Sequence, residues 1–211
     1  MEQRLYEAVE GGKVEKVRKI LQENPEINVN WRGVNRRTAL HVACNNGNDK
    51  ITSLLLAHPD IDVNQKSNGG WTPFIWVCFQ GRTSCARLLL KDARVEVNEP
   101  EDDGHTPLWH AARWGRLEVI KLWIASGREM DLGQPGDEKT DAIGEAKKLE
   151  PHYTRDLKKN TAESVTLLER FKANPEQTRA EVAEDEKKVE DTGGPSNGLR
   201  RSARIGAQGG K

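Results

Sequence analysis

The chain has 211 residues with 33 basic and 33 acidic side chains, so no net field draws it to nucleic acid or to an anionic membrane surface. No apolar run approaches the length that spans a bilayer, and the start Met1-Glu2-Gln3-Arg4 leads into no apolar leader. The composition therefore predicts a soluble monomer of the cytoplasm or nucleus rather than a secreted or membrane protein.

In chain order, Leu5-Tyr6-Glu7-Ala8-Val9-Glu10 reads as a first amphipathic helix closed by Gly11-Gly12, with Val17, Ile20 and Leu21 supplying a second. From there the sequence repeats. Thr38, Thr72, Thr106 and Thr140 stand 34 residues apart, and so do Gly47, Gly81 and Gly115. A fixed period of this size marks an array of stacked units. Each threonine reads as a helix N-cap, followed in two units by Pro73 and Pro107 at the first helical position, where a missing N–H costs nothing. The apolar faces Phe74, Val77, Cys78 and Leu108, Ala111, Ala112 come next, and Gly81 and Gly115 stop each helix in the left-handed region. A second helix follows at Ser84–Lys91 and Leu117–Ala125, the latter ended by Gly127. The connector also repeats, as Val29-Asn30, Val63-Asn64 and Val97-Asn98.

The motif Thr106-Pro107-Leu108-Trp109-His110-Ala111-Ala112, then Gly115 and Glu118-Val119-Ile120-Lys121-Leu122, resembles the ankyrin repeat. So does Thr38-Ala39-Leu40-His41. The resemblance covers roughly residues 1–171 and implies an all-α solenoid of helix-turn-helix units joined by hairpin loops. The units run about 1–33, 34–67, 68–101 and 102–135, with a degenerate cap at 136–171 and a disordered charged tail at 172–211. Departures from the pattern are local. Ala39 and Asp141 replace the proline, Ile75 and Trp109 the histidine that braces adjacent units, and Arg36 and Glu138 the hairpin glycine.

In the fifth unit, Thr140-Asp141-Ala142-Ile143-Gly144 keeps the first-helix pattern, while the second helix is delayed to Glu163–Phe171. Residues 149–158 between them read as an inserted surface loop, with Tyr153 its one obvious anchor for a contact. Beyond Phe171 only alanines, Val182 and Val189 could pack, so disorder is expected from about 174. The last segment, with Arg200-Arg201-Ser202-Ala203-Arg204, is basic and reads mainly as solvated charge.

Nothing in the sequence assembles a catalytic constellation. There is no glycine-rich phosphate loop with a lysine, no Cys-x-x-Cys and no His-Glu-x-x-His. Cys44, Cys78 and Cys85 fall on helix faces that pack and read as small buried groups. The acidic run Glu99, Glu101, Asp102, Asp103 lacks the ordered ligand spacing of a calcium loop. No enzymatic activity, cofactor, metal or small-molecule substrate is expected.

Tryptophan is what the sequence has in excess, six residues against two tyrosines and three phenylalanines. Trp109 and Trp123 fall at core positions, and Trp76 could face either way. In proteins similar to this one, the positions of Trp71 and Trp114 face the concave groove that binds partners. Stacking the units aligns Arg37, Trp71 and His105 as one row, Asn45, Phe79 and Arg113 as a second, and Asn46, Gln80 and Trp114 as a third. Aromatic and arginine side chains among amides are the composition of binding hot spots. The expected function is a protein-interaction module, an adaptor, scaffold or inhibitor holding another protein in that groove. The alternative is a regulatory segment of a larger or truncated enzyme or signalling protein.

The degraded fifth unit has the fewest apolar positions. Its amides, over 140–171, are therefore expected to exchange faster than those over 72–125 in native-state hydrogen exchange. Equal protection of the two stretches would show that the fifth unit is no weaker than the rest.

Overall fold

The computed structural model describes residues 1–148 and 154–191, and among these residues there is no β-strand. Eleven α-helices follow one another: α1 (Glu2–Glu10), α2 (Val14–Glu23), α3 (Ala39–Asn46), α4 (Asp49–Leu56), α5 (Pro73–Gln80) and α6 (Thr83–Lys91). They continue with α7 (Pro107–Arg113), α8 (Leu117–Ser126), α9 (Ala142–Lys147), α10 (Arg155–Ala173) and α11 (Pro175–Asp191). The odd-numbered helices α1 to α9 pack in one layer and the even-numbered α2 to α10 in a second behind it. Neither layer has an apolar centre of its own. One continuous core runs the length of the array, from Leu5 and Val9 through Leu40, Phe74 and Leu108 to Trp123 and Leu168.

The caps form as the threonine spacing predicts. The hydroxyl of Thr72 accepts from the Ile75 N–H at 3.2 Å and that of Thr106 from the Trp109 N–H at 3.2 Å. Thr38 does the same for His41 at 3.4 Å. Gly47 and Gly81 close α3 and α5 at φ 73° and 71°. Their lack of a side chain is used twice. A Cβ there would sit 2.8 Å and 2.7 Å from the Cδ atoms of Arg82 and Arg116, which reach back from the next unit. Through that space Arg82 Nε donates to the Asn45 carbonyl and Arg116 Nε to that of Phe79, each at 2.9 Å.

The Val-Asn connector is the second device that ties unit to unit. Val29, Val63 and Val97 are core residues. The asparagine beside each bridges to the following connector. Asn30 Nδ2 donates to the Asp60 carbonyl at 2.7 Å, and its Oδ1 accepts from the Asp62 N–H at 2.9 Å. Asn64 repeats this with Arg94 and Glu96 at 2.8 and 2.9 Å. Asn98 repeats it with Glu129 and Asp131 at 3.4 and 3.1 Å. The side-chain amide has one donor and one acceptor edge, which is what a neighbouring extended backbone requires.

The hairpins fold without a glycine at every tip. Arg36 takes the left-handed conformation itself, at φ 57°, beside Asn35 at 56°. The structure differs from the sequence reading in the fifth unit. The cap of α9 is Asp141, whose Oδ1 accepts from the Gly144 N–H at 2.8 Å, while Thr140 Oγ1 accepts from the Gln134 N–H at 3.1 Å. Asp141 ranks with the best N-capping residues, so the cap moves on by one residue. Residues 155–158, expected in a loop, are instead the first turn of α10, capped by Thr154 at 3.2 Å from the Leu157 N–H. Tyr153 and its neighbours lie outside the described residues, as does everything after Asp191.

The largest difference is α11, which occupies the stretch 175–191 where disorder was expected. It packs against α8 and α10 with little apolar surface, burying Thr178 and Val182, one turn apart on one face. Polar contacts do the rest. Arg179 Nε donates to the Ile124 carbonyl at 3.2 Å, near the end of α8. Glu186 pairs with Arg87 of α6 at 3.0 Å, and Glu181 with Arg170 of α10. A helix marginal in isolation is stable once its one face is covered.

Replacing Val182 with Asp is expected to remove about 1.5–3 kcal/mol of burial. That is roughly 4–10 °C of melting temperature for a chain of this size. An unchanged melt by circular dichroism would show that α11 adds nothing to the array.

Candidate functional site

On the face formed by the hairpins and the first helices, aromatic rings from two consecutive units meet, with Arg37 of the preceding unit beside them. Trp71, on the hairpin before α5, lies 4.7 Å from Trp76, 5.3 Å from Phe79 and 4.7 Å from His110, centroid to centroid. Phe79 extends the row edge-on to Trp114 at 5.5 Å, and Trp109 closes the far side against His110 at 5.1 Å and His105 at 4.0 Å. Helical spacing produces this cluster: Trp76 and Phe79 share one face of α5, and Trp109 in the first turn of α7 stands one turn before Arg113, with Trp114 as the C-cap.

All nine residues that the sequence assigns to the partner surface are half-buried or exposed, none fully buried. Their side chains do not run in straight rows. Arg37 turns from Trp71 and places its guanidinium 4.1 Å from the Trp76 centroid. Gln80 donates to Asn45 Oδ1 at 2.9 Å, and Asn45 to Asn46 Oδ1 at 3.1 Å, so these three amides largely satisfy one another. Arg113 spans the Trp109 and Trp114 rings at 5.3 and 5.9 Å and pairs with Glu145, a buried carboxylate on α9. His105 is held by Glu101 at 2.5 Å. Burial opposes ionisation of Glu101, but the Asp103 and His105 N–H groups and the His105 ring hold its carboxyl below the usual range. Glu101, Asp103 and His105 come close enough to share a cation, yet Glu101 is already occupied by those donors.

The bracing histidine behaves as the resemblance implies. His41 Nε2 meets the Trp71 carbonyl at 2.9 Å, and its Nδ1 meets the Thr38 N–H at 3.1 Å. A carbonyl only accepts and an N–H only donates, so the proton must sit on Nε2 and the ring is neutral. Burial pushes its pKa down to about 4, the bond to the Trp71 carbonyl opposing the shift. Trp109 takes the same post two units on, its indole N–H donating to the Glu138 carbonyl at 2.9 Å. The position asks only for a donor, which explains why tryptophan can replace histidine and remain core. Ile75 has none, and that joint is held by the Asp102 N–H on the Gly69 carbonyl at 3.0 Å.

Three features escaped the sequence reading. Trp76 belongs to the cluster and carries an indole Nε1 that is buried with no acceptor among the described residues. His110, only 5% exposed, has both ring nitrogens buried and unpartnered. Burial lowers its pKa to about 4. Glu145 gave no sequence signal, because its role depends on Arg113 arriving from another unit.

His41 and His110 both have folded pKa values about 4, below the ordinary 6.5. Between those values the unfolded chain binds more protons, so stability is full above pH 6.5 and falls toward pH 4. Each histidine contributes at most roughly 3 kcal/mol to that fall. His110→Phe loses no hydrogen bond, so its melting temperature at pH 7.5 should hold while its decline toward pH 4 becomes shallower. An identical decline in the variant and the parent would show that His110 titrates normally.

Comparisons with known proteins agree with this architecture. A family model described as ankyrin repeats (3 copies) matches residues 5–100 and 59–134. Among solved structures, the chain is similar to the crystal structure of EF0377, an ankyrin repeat protein, at 26% identity and a TM-score of 0.69, over 81% of each chain. No curated protein matches. Among the described residues no helix is long and apolar enough to cross a membrane. Stacked helix pairs, threonine caps, left-handed glycine stops and the family match together assign the chain to the ankyrin-repeat family.

Proposed function

We propose that this chain is a protein-interaction module that holds another protein against the hairpin and first-helix face of units two to four. The observation that carries this reading is the half-exposed aromatic row of Trp71, Phe79 and Trp114, flanked by Arg37 and Arg113. Large rigid rings and guanidinium groups give contact area at low entropic cost, and such side chains dominate interface energetics. Proteins of this fold bind through surface residues that differ from member to member, so the partner is decided by these side chains and not by the repeat. Binding, rather than catalysis, is also what the chemistry of the site supports. The groups that could move a proton there are buried and neutral, as His110 is, or already paired, as Glu101 and Glu145 are.

The rings divide by expected effect. Trp114 stands at the end of the row, so Trp114→Ala should leave the melting temperature nearly unchanged. It should weaken capture of the partner by about 2–4 kcal/mol, roughly 30- to 1000-fold. Trp71 touches Trp76, Phe79 and His110, so Trp71→Ala should lose both affinity and some stability. Leu89→Ala, at a fully buried core position, should lose about 2–5 kcal/mol of stability through its cavity. The measurement pairs thermal melting with co-precipitation and mass spectrometry from cell lysate. A Trp114→Ala variant that retains every partner of the parent would sink the groove reading.

A further inference from the structure

The charges around the groove are unequally satisfied. At its far end Arg113 is neutralised by Glu145, and Lys66 on the middle hairpin pairs with Glu99 at 2.6 Å. At the near end, where unit two meets unit three, Arg37 has no carboxylate partner among the described residues. Its one directional contact is the face of Trp76 at 4.1 Å. Trp76 itself keeps its Nε1–H buried without an acceptor. The guanidinium and the indole N–H are thus stacked donors awaiting the same kind of group. An acceptor that draws the guanidinium partly off the ring can take both, and a carboxylate does so most strongly, since charge-assisted bonds are the strong ones.

A second observation points to the same end of the groove. The hairpin tip beside Arg37 exposes Val34 at 72% and holds Arg36 in the left-handed region at φ 57°. The equivalent positions on the next two tips are Gly70 and Gly104, also at positive φ. Arginine adopts that conformation only at a cost glycine would not bear, and it too has no carboxylate partner among the described residues. The tip therefore holds a second unpaired cation at the expense of local relaxation.

The apolar part of the surface lies one unit further on, over Phe79 and Trp114. Neighbouring units are separated by roughly the 8–10 Å of packed helices, and an extended peptide rises about 3.3 Å per residue. About three residues connect the two places. Resting on the function proposed above, we infer that the partner enters the groove as an extended acidic segment. Its Asp or Glu carboxylate binds Arg37 and the Trp76 N–H, and an apolar side chain about three residues away covers Phe79 and Trp114. Arg36 adds attraction from the hairpin tip.

The probe is a phage-displayed library of random 12-residue peptides panned on the full chain, with the strongest binder resynthesised and labelled for fluorescence anisotropy. The enriched peptides should carry Asp or Glu about three positions from Phe, Trp, Leu or Met. Changing that acid to its amide should weaken binding about tenfold. Arg37→Met, which keeps an apolar stem over Trp76, should do the same. The two changes together should cost little more than either alone. Arg36→Gly should melt at the same temperature or higher yet bind a few-fold more weakly, the reverse of a purely structural residue. Affinity should fall as salt rises. Neutral or basic binders abolished by Trp114→Ala would overturn the acidic segment while leaving the groove standing. Binders indifferent to Trp114→Ala and Arg37→Met would overturn both. A library that yields no binder at all would overturn the extended segment and leave a folded partner surface as the groove's occupant.

Discussion

Every element of this structure depends on one joint, the hydrogen-bonded contact between one unit and the next. A helix pair of about twenty residues cannot enclose a core, so the apolar faces of α3, α5 and α7 are dry only because their neighbours cover them. Apolar contact has no direction and would tolerate sliding. Directional bonds set the register: Asn30, Asn64 and Asn98 on the connectors, Arg82 and Arg116 behind the helix stops, and the donors of His41 and Trp109 on the hairpins.

The face proposed to bind a partner rests on a scaffold whose outward positions are free to vary. At positions that touch the next unit, substitution is confined to side chains that keep the bond. Trp109 for histidine is such a case. One position outward, Trp71, Trp76 and Phe79 fill places where the scaffold needs nothing in particular, and there a cluster of aromatic rings has accumulated. It includes polar atoms left without partners, the Trp76 indole nitrogen and both nitrogens of His110. Buried polar groups in that state destabilise a fold. They lie within the half-exposed aromatic cluster, where the binding proposed above would bring partner groups close to them.

The end of the array solves a different problem. The last unit must turn its outer face to water, and the fifth unit does so with charged residues on α9 and a long α10. Glu145 reaches back to Arg113 while also pairing with Lys148 at the end of its own helix, so the cap is fastened by a buried carboxylate as well as by packing. Breaking such a pair by removing one partner leaves an uncompensated buried charge, which makes the fastening specific even where its net contribution to stability is small. α11 then folds back over α8 and reaches α6 through Glu186, tying the last described helix to a unit two before it.

The sequence by itself determined the repeat, the caps and the helix stops, because each is a local rule. Thr38, Thr72 and Thr106 cap, Pro73 and Pro107 begin and Gly47 and Gly81 end their helices by local chemistry, and a period of 34 residues then dictates stacking. It also determined that Trp71, Phe79 and Trp114 would remain accessible, since position in the unit fixes which way a side chain faces. Only the tertiary structure decided which of these side chains meet. Arg37 stacks on Trp76, Arg113 pairs with Glu145, and α11 packs on α8, each across 32 or more residues of chain. Such pairings carry no periodic or local signature. The energy that selects them comes from surfaces and charges that lie far apart in sequence and come together only when the units stack.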